Sequence, residues 1–361
     1  MRFPGRSGNC RLLCGFILAL ALLTGPAGFA GNAGGSIHVV DSLQRTVTIP
    51  ARIERIISLE PEITRIIVAL GAGERLVGVD FFLRHHDRLF PLIFPACKRL
   101  PVVSNQGQDL NYEEAIRLRP DIIFSSPSEF RMTEAIERKM RRPVVALASM
   151  GKFQDLLAEI ETLGRILGRE ERAAELVSFF RSRMASVRKI GLARAAGACP
   201  SVYLSFWGSL LRTPVSYEPV GAAGGKNLAS DLLPSYLGTA GASVSLEQIL
   251  AWDPEVILVQ GNYPPAERQV TVEGILGDPR LASVRAVRHG RVHYTFGFWY
   301  WWDPALVLVE TLYLARLFHP GSFPDFDLTR EGDAIFKEFY GQEGLFSALC
   351  RVLSCHEWKA K

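Results

Sequence analysis

One segment of this chain occurs twice. Residues 111–124 read NYEEAIRLRPDIIF and residues 245–258 read SLEQILAWDPEVIL. Aligned without gaps, Glu113 falls on Glu247, Pro120 on Pro254 and Asp121 on Glu255. Each copy opens on a helix-capping residue, Asn111 or Ser245, followed three positions on by Glu114 or Gln248, which is the pattern of a capping box. The proline then stops a short helix, and IIF or VIL opens a β-branched strand. A repeat of this kind dictates architecture. Two copies 134 positions apart predict two halves of similar design.

Short apolar runs fill both halves. RIISLE (55–60) predicts a strand, followed by a helix over 62–70 that ends at Gly71; RLVGVD (75–80), PVVS (101–104), DIIFSS (121–126) and PVVALA (143–148) predict further strands. SVYLSFWG (201–208), EVILVQGN (255–262) and RVHYTFGF (291–298) play the same parts later. Strands alternating with helices imply parallel sheets covered on both faces. Residues 153–167 and 169–190 show helical periodicity, with Phe179, Met184 and Val187 on the apolar side. The fold class predicted is α/β: two parallel-sheet α/β lobes bridged by a single long helix, with a ligand cleft between them. The expected divisions are a signal peptide over 1–30, an N-terminal lobe over 37–150, linker helices over 151–191, and a C-terminal lobe with C-terminal helices over 192–361.

The start of the chain reads as an export signal. Arg2, Arg6 and Arg11 precede the apolar run LLCGFILALALL (12–23), and the small residues around Gly28-Phe29-Ala30 form a cleavage box. Cleavage is expected near Ala30, which places the mature protein in the periplasm. Three of the 41 Lys and Arg residues lie in that segment, and the remaining 38 nearly balance the 37 Asp and Glu. With no basic run interleaved by aromatics, nucleic acid is not an expected partner. In an oxidising compartment Cys350 and Cys355 could close a small loop, while Cys97 and Cys199 lie far apart. Cys350 to His356 also reads as a stretched variant of a haem-attachment motif. An exported haem-carrying redox protein is therefore one rival reading. An exported enzyme is another, but neither G-x-S-x-G nor H-E-x-x-H occurs.

The opening VVDSLQRTVTIPARIERIISLEPEITRIIVALGAGERLVGVD, the stretch GAAGGKNLASD (221–231) and the ending GRVHYTFGFWYWWDPALVLVETLYLARLFHPGSF resemble the class III periplasmic binding proteins of ABC importers. These are receptors for ferric siderophores, haem, cobalamin and, in one branch, molybdate or tungstate. The resemblance implies a non-enzymatic, monomeric receptor without a resident cofactor. It also implies that Glu113 and Glu247 dock on arginine pockets of the transmembrane permease. One departure is Thr64-Arg65, where the family often has Thr-Glu. In open α/β sheets ligands bind at the strands' carboxyl edges, which points to Glu60, Phe81, Phe82, Arg84, His85, His86, Asn105 and Arg131 in the first half. Trp207, Tyr217, Tyr263, Trp299, Tyr300 and Trp301 are the candidates in the second. Arg84 and the adjacent histidines suit an anion or a metal centre; two neighbouring histidines on a strand point apart, so at most one would ligate. The aromatic density favours a large metal complex, with ferric siderophore or haem first, cobalamin second and molybdate or tungstate third.

Overall fold

The computed structural model describes residues 35–361 apart from 105–109, 128–129, 148–150, 194–198, 235–240, 297–302 and 355–361. The expected signal peptide therefore lies outside the described residues, as do Asn105, Trp299, Tyr300, Trp301, Cys355 and His356. Residues 36–361 form one body. No described helix is long and apolar enough to cross a membrane.

A hairpin of β1 (Ser36–Val40) and β2 (Thr46–Pro50) opens this body. Asp41 shapes its turn by accepting from the N–H groups of Leu43 and Arg45, each at 3.0 Å. The first sheet follows, made of β3 (Ile56–Ser58), β4 (Leu76–Val79), β5 (Ile122–Ser125) and β6 (Val144–Ala146). It carries α1 (Pro61–Ala69), α2 (Phe81–His85), α3 (Phe90–Ile93), α4 (Tyr112–Arg117) and α5 (Phe130–Met140). Two connecting helices come next, α6 (Phe153–Leu167) and α7 (Glu170–Ala193). The second sheet contains β7 (Ser201–Ser205), β9 (Lys226–Asn227), β11 (Val256–Gln260) and β12 (Val292–Thr295), with β8 (Arg212–Pro214) and β10 (Gly241–Ser243) forming a small side ladder. Its helices are α8 (Glu218–Ala222), α9 (Leu246–Trp252), α10 (Val272–Leu276) and α11 (Arg285–Arg288). Three more close the chain: α12 (Pro304–Phe318), α13 (Leu328–Tyr340) and α14 (Leu345–Leu353).

Both main sheets are wholly parallel, in the orders β4-β3-β5-β6 and β12-β11-β7-β9. Numbered within its own lobe, each sheet reads 2-1-3-4. Strands β3, β5, β6 and β11 are buried at every position, as helices on both faces require. The repeated segment is α4–β5 in one lobe and α9–β11 in the other, so each copy supplies its lobe's third strand. The likeness extends to the backbone. Arg119 (φ 47°) and Asp253 (φ 44°) both turn left-handed immediately before the shared proline.

The caps form as far as one hydrogen bond each. Asn111 Oδ1 accepts from the Glu114 N–H and Ser245 Oγ from the Gln248 N–H, both at 3.2 Å. The reciprocal half of the expected box is absent at Asn111, because Val103 O takes its N–H at 2.7 Å and the Glu114 carboxylate pairs with Arg117 at 2.6 Å. PVVS contributes only two isolated bridges, Val102 beside Val79 and Ser104 beside Leu110.

Helix α7 has 24 residues, about 36 Å at 1.5 Å per residue. Ala173, Leu176, Val177, Phe180, Met184 and Val187 form its buried stripe. Phe180 rather than Phe179 is the core ring, since the spacing from Leu176 to Met184 selects it; Phe179 is half-buried, edge-on to Phe339 at 6.2 Å. Helices α6 and α7 approach closely at Gly164, where a Cβ would lie 2.5 Å from that of Ala173.

Candidate functional site

The carboxyl edges of the two sheets border a cleft of two chambers. One is narrow, about 50 Å³, and partly open to solvent. Arg65, Phe82, His86, Asp87 and Arg88 line it from the first lobe; Asn262, Tyr263, Phe296 and Asp303 line it from the second, and Leu349 and Leu353 of α14 complete the wall. The other, about 360 Å³ and also partly open, is bounded by Ser205, Trp207, Gly208, Gln260, Tyr263, Glu267, Arg268 and Gln269. Tyr263 is common to both. A half-exposed ion pair between Arg88 and Glu267 joins the lobes where the chambers meet.

The deepest charges form a relay from α1 to α13. Arg65 pairs with Asp87, their side chains 7% and 2% exposed. Asp87 Oδ1 also accepts from the N–H groups of Leu89 (2.8 Å) and Phe90 (2.9 Å). Asp303 caps α12 through the Leu306 N–H at 2.8 Å and accepts a hydrogen bond from the Tyr340 hydroxyl. Burial would strip the charge from Arg65, but Asp87 and Asp303 more than offset it, and the guanidinium is held above its ordinary value. Burial raises Asp303 against the pull of Arg65. In the second lobe, Arg268 donates to the carbonyls of Tyr263 and Leu353 and lies 4.1 Å over the Tyr294 ring.

Of the residues expected from the sequence, Phe82, His86, Trp207 and Tyr263 border the chambers. Phe81 stacks on His85 at 4.4 Å, and neither borders a chamber. Arg84 donates to Lys98 O at 3.0 Å, and Arg131 is exposed on α5. Tyr217 is 3% exposed, edge-on to Phe206 at 5.3 Å and hydrogen-bonded to Glu310. Glu60 is buried beside Glu62 and Asp80, and burial raises its carboxyl well above the usual range. Among the described residues no trio of His, Cys, Asp or Glu is gathered as a metal ion would need. Arg65, Asp87, Arg88, Arg268, Phe296 and Asp303 border the cleft without having been expected. Glu113 and Glu247 are exposed at the second position of α4 and α9, and Glu247 is held below the usual carboxylate range by its own N–H and the Ser245 hydroxyl.

A family model described as periplasmic binding protein matches residues 56–296. The chain belongs to that family. It is a family of substrate-binding proteins. Among its curated relatives, the molybdate-binding protein MolA of Haemophilus influenzae is 28% identical over 336 residues, spanning 84% of this chain and 90% of the relative. The solved structure of MolA bound to molybdate superposes with a TM-score of 0.71 at 23% identity, covering 85% of this chain and 98% of that one. A periplasmic solute-binding protein of Veillonella parvula gives 0.73 at 20% identity, covering 89% and 98%. A vitamin B12-binding protein of Yersinia pestis is 26% identical, over 60% of this chain and 73% of the relative. These solved structures share the two-lobed fold described above.

Proposed function

We propose that the chain is the extracytoplasmic receptor of an ABC importer and that it captures a small oxyanion of the molybdate or tungstate type. The observation that carries this is the set of N–H-bearing side chains along the cleft: Arg65, His86 and Arg88 line one chamber, Arg268 lines the other, and Arg88 reaches to Glu267 where the two meet. The exposed pair Arg88–Glu267 is of a kind worth only about 0–1 kcal/mol, so an anion can take the place of the Glu267 carboxylate at little cost. The long match to a relative named for molybdate supports the same class.

A second reading, a metal complex such as a ferric siderophore or haem, is favoured by chamber size. The larger chamber, about 360 Å³, falls at the lower end of the range of pockets for drug-sized ligands; Tyr263 and Trp207 supply flat walls there, and Phe82 and Phe296 do so in its neighbour. Delivery would use Glu113 and Glu247, one exposed carboxylate on each copy of the repeat, paired with guanidinium groups of the permease.

The test is a panel of sodium molybdate, sodium tungstate, a ferric siderophore, haemin and cyanocobalamin, read by native mass spectrometry and tryptophan fluorescence. Molybdate or tungstate should bind. Binding of an iron or corrinoid complex alone would transfer the protein to the second class, and binding of none would overturn the receptor reading.

A further inference from the structure

Gln260 ends β11 at the carboxyl edge of the second sheet and is 5% exposed. Its Oε1 accepts from the Trp207 N–H at 2.7 Å. A backbone N–H can only donate, so the oxygen must face Trp207 and the amino group must face away. That amino group is buried and has no hydrogen-bond partner among the described residues, although Gln260 borders the 360 Å³ chamber. A buried donor left unpaired is costly and uncommon in folded proteins.

The place in the fold is equally specific. Strand β11 lies beside β7, the first strand of its lobe, so Gln260 and Ser205 flank the point where strand order reverses, the crevice that serves as a ligand site in open α/β sheets. The turn opposite is strained. Trp207 (φ 52°) and Gly208 (φ 64°) are consecutive left-handed residues, and a Cβ on Gly208 would fall 2.2 Å from Gln269 Oε1. One end of the Gln260 amide holds this turn, the other is left unpaired, and the residue borders the chamber.

We infer that Gln260 is a specificity-determining contact, donating from Nε2 to an oxygen of the bound oxyanion. This rests on the receptor reading above. Gln260→Glu separates the two ends of the side chain. It keeps an oxygen toward Trp207 and replaces the amino group with a carboxyl oxygen that donates when protonated and repels an anion when ionised. The charged groups facing this chamber are Glu267 and Arg268; they are common to variant and wild type, so the difference between the two proteins reports on position 260.

The probes are sodium molybdate and sodium tungstate, titrated against tryptophan fluorescence from pH 6 to 8.5. The Glu variant should weaken relative to wild type by at least about tenfold as pH rises, and Gln260→Met should be weaker by at least about tenfold at both ends, the loss of one charge-assisted hydrogen bond. Thermal unfolding of both variants checks that the fold is kept. If the wild type binds and both variants follow it at every pH, the inference fails and the receptor reading stands. If the wild type binds neither anion, the oxyanion reading falls and this inference falls with it.

Discussion

Arg65→Met removes the most deeply buried cation of the cleft. Methionine replaces most of the aliphatic stem, so lost packing is a small part of the effect. What remains is the Asp87 carboxylate, 2% exposed, with Oδ2 deprived of its partner and Oδ1 still bound by the N–H groups of Leu89 and Phe90. Asp303 loses the same countercharge. Breaking a buried ion pair from one side costs about 3–5 kcal/mol; the two surviving N–H bonds put the expected loss at the lower end, about 3 kcal/mol. Adding Asp87→Asn removes the orphaned charge and should recover about 1–2 kcal/mol, the coupling typical of residues in contact. The measurement is urea unfolding followed by circular dichroism, comparing midpoint and slope for the two single variants and the double. A loss below about 1 kcal/mol for Arg65→Met, or single-variant effects that simply add in the double, would refute the reasoning and make the pair incidental to stability.

Burial raises the Asp80 carboxyl to about 7, above its unfolded value, so its protonated form favours the folded state and stability is lost as pH rises from about 4 to about 7. Asp80→Asn keeps an oxygen for the Leu83 N–H and should gain on wild type by on the order of 3 kcal/mol between pH 5 and 8; parallel curves of unfolding midpoint against pH would count against it. His293 is shifted the other way, down to about 4 by burial and by Arg291. It costs stability as pH falls from about 6.5 to 4, and His293→Gln should flatten that acid limb in the same scan. Reversing Glu113 and Glu247 to Lys should abolish ligand delivery to the permease in reconstituted vesicles while solution affinity stays intact, and normal uptake by the double variant would show that both residues serve only their helices.

The architecture was legible because its signals are local. Cap, proline and β-branched run sit within fourteen residues in each copy of the repeat, and they returned as matching helices, left-handed turns and third strands. Where neighbours intervened, the reading slipped. Glu114 found Arg117 instead of closing its cap, and the helical register of α7 put Phe180 inward in place of Phe179. At the cleft, Phe82, His86, Trp207 and Tyr263 could be named because each follows a strand end. Tyr217 follows one too, but Glu310 on α12 draws its hydroxyl into the core, a contact between residues far apart in the chain. Arg65 stands among Ile63, Ile66 and Ile67 on α1 and had drawn notice only as a departure from a family pattern. Its partners Asp87 and Asp303 are brought to it by the fold alone, and no spacing in the chain announces them.

The tail of the chain is fastened to more than its own lobe. Gln342 donates to Ile93 O at 3.0 Å, Arg172 of α7 reaches the carbonyls of Glu338 and Phe339, and Arg268 holds the end of α14. The two sheets are thus tied along one side by the long helix and along another by the closing helices, like a book bound at the spine and clasped at the corner. Such a body resists wide gaping. Parting the lobes at the cleft would break the Arg88–Glu267 pair and pull on these tail contacts.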